Sequence, residues 1–142
     1  MNMFFRFQQN SLYDGVSMKQ TIQSQRAPAA VGPYSPALKV DNLLFISGQI
    51  PLTADNQLIE DDFDAEVRQV LNNITALLAE SGLDWSHVVK VGIFTTELHR
   101  FDQMNRIYEE FVTEPYPARA AVEVRALPKG VRIEMEAIAH VK

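Results

Sequence analysis

The chain has 142 residues, 46% of them apolar and 22% charged, with a formal net charge of −5 and no cysteine. That length suits one globular domain with an ordinary core. The lack of cysteine excludes disulfides, thiolate catalysis and cysteine-based zinc sites, and an acidic balance with no run of Lys or Arg argues against a nucleic-acid partner, whose phosphates are held by clustered cations.

Residues 1–17, MNMFFRFQQNSLYDGVS, carry no sustained periodicity and stop at an internal Met18. They are expected to be an N-terminal extension, disordered or a start-site artefact, ahead of a single α+β domain over 18–142. A short helix or partner-binding arm is the alternative, since Phe4, Phe5 and Phe7 are costly to leave in water. They are not expected to be a signal peptide: Arg6 interrupts the apolar stretch, and Gln8, Gln9 and Asn10 end it. No apolar run approaches the roughly 20 residues of a membrane helix. A cytoplasmic protein with no membrane partner is expected.

From Met18 the punctuation becomes regular. MKQTIQSQ alternates Ile22 with polar residues and predicts an edge strand; Pro28, Pro33 and Pro36 in APAAVGPYSPA exclude a helix and predict a loop. LKVDNLLFISGQI predicts a tight hairpin about Asp41-Asn42, a pair that tolerates positive φ. Asp61 or Asp62 can cap a helix whose Val67, Val70, Leu71, Ile74, Leu77 and Leu78 recur at i, i+3, i+4 until Gly82 stops it. HVVKVGIFTTEL predicts a strand. RFDQMNRIYEEFV returns to helical spacing through Phe101, Met104, Ile107, Tyr108 and Phe111, and two strands joined by a Pro-Lys-Gly turn finish the order βββαβαββ.

Two helices of about 20 and 13 residues should cover one face of this sheet and leave the other open. The strands LLFISG and VVKVGIF are nevertheless apolar on both parities, which calls for cover on both sides. Another subunit is the expected source. By the same parity test Ala120, Val122, Val124 and Ala126 should face the helices, placing Arg119 and Ala121 on the open face with Glu134, Glu136 and His140. Arg119, with no acidic neighbour within three residues, would be either a solvated strand end or a receptor for a carboxylate.

GPYSPA, ISGQIP, the stretch from FDAEVRQVLNNI to KVGIFTTEL, and above all PARAAVEVRALPKGVRIEMEAIA resemble the Rid family of reactive intermediate deaminases, RidA subgroup, over about residues 19–141. The resemblance implies a chorismate-mutase-like α+β subunit, a homotrimer, and a site between subunits without cofactor or metal. It implies hydrolysis of enamines and imines such as 2-aminoacrylate and 2-aminocrotonate, with their tautomers 2-iminopropanoate and 2-iminobutanoate, to 2-oxo acids and ammonia. Pyridoxal-phosphate-dependent dehydratases would release these substrates, a functional link without a stable complex.

On this resemblance Arg119 binds the substrate carboxylate and Glu134 orients the water that attacks C2. Tyr34, held in the proline loop, could reach the ligand with its hydroxyl or could be a packed tyrosine with a wet tip. Gly48 would let a ligand approach its backbone N–H, although a bulge explains the glycine equally. Asn105 is a weaker candidate, as a helix-surface or interface hydrogen bonder. Many relatives have cysteine where this chain has Ala121, so thiol chemistry is absent here and only the residue 121 carbonyl is offered to a water. A sparse site suits the reaction, because an imine is already electrophilic and needs little beyond an oriented water. His87, His99 and His140 lack metal-ligand spacing, and the glycines form neither a phosphate loop nor a dinucleotide fingerprint.

Two readings from other classes stand beside this one. The first is a non-catalytic module that binds 2-oxo acids through Arg119. The second is an RNA-directed translation inhibitor or endoribonuclease, activities also ascribed to this family, against which the acidic charge counts.

Overall fold

The computed structural model describes residues 18–141, so the expectations for residues 1–17 lie outside the described residues. The strands are β1 (Gln20–Ile22), β2 (Ala37–Val40), β3 (Leu43–Gln49), β4 (Val88–Thr95), β5 (Ala118–Glu123) and β6 (Ile133–His140); the helices are α1 (Phe63–Glu80) and α2 (Phe101–Tyr108). Their order is the βββαβαββ read from the sequence.

Local chemistry accounts for most of these boundaries. Val40 pairs with Leu43 across the two-residue turn Asp41-Asn42, and Asp41 takes φ 52°. Asp62 caps α1 by accepting from the Ala65 backbone N–H at 3.2 Å. At the other end Gly82 takes φ 70°, while the Gly82 and Leu83 N–H groups donate to Ala79 and Leu78 carbonyls. The second helix is shorter than its apolar spacing suggested. After Tyr108 the chain tightens, with Glu110 and Phe111 donating to the carbonyls three residues back, yet Val112 remains buried.

The six strands form one mixed sheet in the order β1-β2-β3-β6-β4-β5. All pairs are antiparallel except β4 with β5, so β5 is a parallel edge strand. Both helices lie on one face of this α+β fold. Leu44 and Ile46 of β3, Val91 and Ile93 of β4, and Ile133, Met135, Ala137 and Ala139 of β6 pack there against Val67, Val70, Leu71, Ile74, Leu77 and Leu78 of α1. Each such aliphatic side chain contributes about 1.5–3 kcal/mol by leaving water.

The opposite face carries Leu43, Phe45 and Val122, of which Phe45 is 41% and Val122 45% exposed. The two-sided apolar strands therefore leave an uncovered apolar surface in the single chain. Among the described residues no helix is long and apolar enough to cross a membrane.

The face of β5 is opposite to the one its sequence suggested. Val91 pairs with Arg119 and Ile93 with Ala121, and Val91 and Ile93 point to the helices. Arg119, Ala121 and Glu123 hence share the helix face, while Ala120 and Val122 look outward beside Gly92 and Phe94. The small residues of ARAAVE fit either face, and the parallel register with β4 makes the choice.

Candidate functional site

Apart from Ala121, the residues singled out from the sequence fall into two separate depressions. The first has a volume of about 790 Å³ and collects Tyr34, Gly48 and Glu134, with Lys129 on its lining. It arises where the proline loop meets an irregularity in β3. The pairing of β3 with β6 shifts register between Ile46 and Gln49, and Ser47 there donates through Oγ to the Ser35 carbonyl at 2.6 Å and through N–H to the Pro36 carbonyl at 3.0 Å. Gly32 at φ 115° turns the loop so that the Tyr34 N–H reaches its carbonyl, leaving the Tyr34 ring half exposed over the depression. The far wall, Ile50 to Leu52, is tied to α1 by Asn73, whose fully buried amide donates to both carbonyls at 3.2 and 2.9 Å. An asparagine on the apolar stripe of a helix was a sequence signal for this tie.

Glu134 stands on the open face of β6, because Ile133 and Met135 on either side of it point into the core. Its carboxylate lies directly over Gly48. A Cβ on Gly48 would overlap Glu134 Oε1 and come within 2.9 Å of Cδ. Of the two explanations for this glycine the bulge is present, and the space is filled by the acid itself. Burial, and secondarily the neighbouring Glu136, pushes the Glu134 carboxyl above the usual carboxylate range. It forms no hydrogen bond or ion pair among the described residues.

The second depression, about 360 Å³, lies on the helix side and holds Arg119, Asn105, Tyr108, Glu109 and Tyr116. Arg119 Nη1 donates to Asn105 Oδ1 at 2.6 Å. Its guanidinium carbon is 5.1 Å from the centre of the Phe101 ring and 5.0 Å from that of Tyr108. Among the described residues it pairs with no carboxylate, so the Nε–Nη2 edge is available to an anion.

Thus Tyr34 and Glu134 come together with Gly48, and Arg119 comes together with Asn105. The two sets lie on opposite faces of the sheet. Ala121 lines neither depression, and its methyl packs on the core beside Ile93. Lys129, Phe101, Tyr108 and Tyr116 were not singled out. Lys129 carried a signal as the middle of Pro-Lys-Gly, where it adopts φ 57°. The aromatic residues carried none beyond their helical and proline-flanked spacing. Among the described residues no group of three or more His, Cys, Asp or Glu could hold a metal ion.

Residues 24–141 match the protein family described as Endoribonuclease L-PSP. The chain is 44% identical to a RutC family protein of Pyrococcus abyssi over 123 residues, covering 86% of this chain and 97% of that one. It is 41% identical over 123 residues to a protein of Bos taurus named 2-iminobutanoate/2-iminopropanoate deaminase, covering 86% of this chain and 90% of that one. The crystal structure of RidA from an Antarctic Psychrobacter superposes with a TM-score of 0.81 at 44% identity, over 85% of this chain and 98% of that one.

Proposed function

The chain belongs to the Rid/RutC family described as Endoribonuclease L-PSP, and on that premise we propose that it is a 2-iminobutanoate/2-iminopropanoate deaminase. The observation that carries this reading is the pair of incomplete half-sites. One presents a guanidinium edge without an anion, the other a desolvated carboxyl without a cation partner. A single chain cannot apply both to one small molecule across its own sheet. A second copy whose Arg119 side meets the Glu134 cleft can, and the uncovered Leu43, Phe45 and Val122 supply the apolar surface for such contact. The assembly proposed is a homotrimer.

In this site Arg119 takes the substrate carboxylate bidentately, fixing C2 near Glu134. Water adds through oxygen to C2 as the C=N π pair moves to nitrogen. Glu134 accepts the water proton and returns it to nitrogen; its raised pKa brings its proton affinity closer to that of the groups it exchanges with. The carbinolamine then expels ammonia as its hydroxyl proton passes by way of Glu134 to nitrogen, the O–H electron pair forming C=O while the C–N pair leaves with nitrogen. In this reading Tyr34, which shares the lining with Glu134, hydrogen-bonds the adding water or the leaving nitrogen.

The test is a coupled assay on freshly generated 2-aminocrotonate, with sedimentation equilibrium on the same sample. A rate above the uncatalysed one that disappears in Arg119→Ala is expected, together with a trimer mass. Binding of 2-oxobutanoate without rate enhancement would sink the enzyme reading and leave the sensor. A monomer at micromolar concentration would defeat the site between copies. The family's description also names a ribonuclease, so RNA cleavage without imine hydrolysis would favour that reading instead.

A further inference from the structure

We propose that one face of α2, formed by Phe101, Asn105 and Tyr108, is a positioning cradle that holds the Arg119 guanidinium in place for its anion without pairing it with a carboxylate; this rests on the deaminase reading above. The three residues follow i, i+4, i+7 spacing and so lie in a row along one side of the helix, facing the β5 arginine. Two aromatic rings bracket the guanidinium at 5.1 and 5.0 Å, and the Asn105 amide oxygen takes Nη1 at 2.6 Å. Those contacts restrict how the guanidinium can pivot and occupy Nη1, leaving Nε and Nη2 without a hydrogen-bond partner among the described residues. An anion that arrives meets donors already fixed in place, so less ordering entropy opposes binding.

The chemistry of the clamp is as informative as its geometry. Among the described residues the groups set against the cation, Phe101, Tyr108 and Asn105, are all neutral. Tyr108 is only 5% exposed, and burial pushes its phenol upward, with the Arg119 charge opposing that, so the ring carries no negative charge at neutral pH. Asn105 is an amide where the isosteric aspartate would make a salt bridge. Glu109 borders the same depression without pairing with Arg119. The arginine is therefore held without being neutralised, and its charge is kept for the ligand.

Asn105→Asp tests this directly, because it keeps the shape of the cradle and supplies an internal carboxylate to Nη1. The expected result is a folded protein of undiminished Tm whose kcat/KM falls at least about tenfold, chiefly through KM. Calorimetric binding of 2-oxobutanoate should weaken in step. Phe101→Leu, which keeps apolar bulk and removes one π face, should raise KM at least about threefold with kcat little changed. If Asn105→Asp fails to fold, the Phe101→Leu measurement decides alone. An active wild type, an inactive Arg119→Ala and cradle variants with unchanged KM and unchanged 2-oxobutanoate affinity would overturn the cradle and spare the deaminase. A wild type that binds 2-oxobutanoate but hydrolyses no imine overturns the deaminase, while the variants' affinities still judge the cradle.

Discussion

Glu66 and Glu134 are two carboxylates drawn out of water by the same fold, and their treatment is opposite. Glu66, 3% exposed on α1, receives Arg132 Nε at 3.0 Å and is also met by Arg132 Nη2. Arg132 reaches on to Glu97 at 3.4 Å, Glu97 pairs with Arg100 at 2.7 Å, and both arginines lie over the Phe63 ring at 5.4 and 5.3 Å. Every charge in that cluster has an opposite within reach. Glu134, two residues beyond Arg132, has instead a second acid beside it and a glycine beneath it. The first arrangement anchors the entry to β6; the Arg132 carbonyl is further held by Thr95 Oγ1 at 2.7 Å and by the Thr96 N–H at 3.1 Å. The second leaves a carboxyl whose proton affinity is perturbed inside a cleft, the condition expected of a group that handles protons. Pairing distinguishes Glu66 from Glu134 more sharply than burial does, and the catalytic role proposed for Glu134 rests on that difference.

The largest effect should come from breaking the paired acid. Glu66→Ala leaves the Arg132 guanidinium without its bidentate partner and should lower stability by about 3–5 kcal/mol, read from urea unfolding. If the loss is under about 1 kcal/mol, the cluster is a surface network and the contrast with Glu134 weakens.

Glu134→Gln should do the reverse. It removes a carboxyl that nothing pairs, so stability at neutral pH should hold or rise, while kcat for imine hydrolysis falls by about 10². A variant that unfolds yet keeps its turnover per folded molecule would exchange the roles assigned to the two acids.

Gly48→Ala sharpens the point with one methyl group. No backbone strain is involved, since Gly48 does not adopt a positive φ, but the added Cβ must displace the Glu134 carboxylate. About a tenfold loss in kcat/KM with a modest drop in Tm is expected. Adding Glu134→Gln to it should cost little more activity, because both changes act on the same carboxyl.

The smallest effect is in the pH dependence of stability. The Glu134 pKa is raised in the folded chain, so at pH values between the unfolded and the folded pKa the folded state holds a proton that the unfolded state has released. Stability should decline as pH rises from the ordinary glutamate range through the raised value, and that slope should vanish in Glu134→Gln. An unchanged slope in the variant would show that Glu134 is solvated in the assembled protein.

Much of this molecule was legible along the chain. The Asp41-Asn42 hairpin, the Asp62 cap, the Gly82 stop and the periodicity of α1 gave the element order, because turn chemistry and capping act within a few residues. The blocks PARAAVEVRALPKGVRIEMEAIA and GPYSPA carried the family. The facing of β5 was not legible. Ala118, Ala120 and Val122 do alternate with Arg119 and Glu123, but these small side chains do not fix which side is buried, and the apolar series looks away from the helices once β5 takes its register with β4.

Sequence by itself thus determined which segments become strands and helices, and which arginine, glutamate, tyrosine and glycine to watch. Tertiary structure alone decided that Arg119 turns toward α2 and Glu134 away from it, that a glycine is needed beneath the acid, and that Phe101, Asn105 and Tyr108 close on the guanidinium. The physical reason is range. Caps and turns are settled by neighbours in the chain, whereas the side of the sheet on which an edge strand presents its charge is settled by its register with β4, across a helical crossover that no local pattern records.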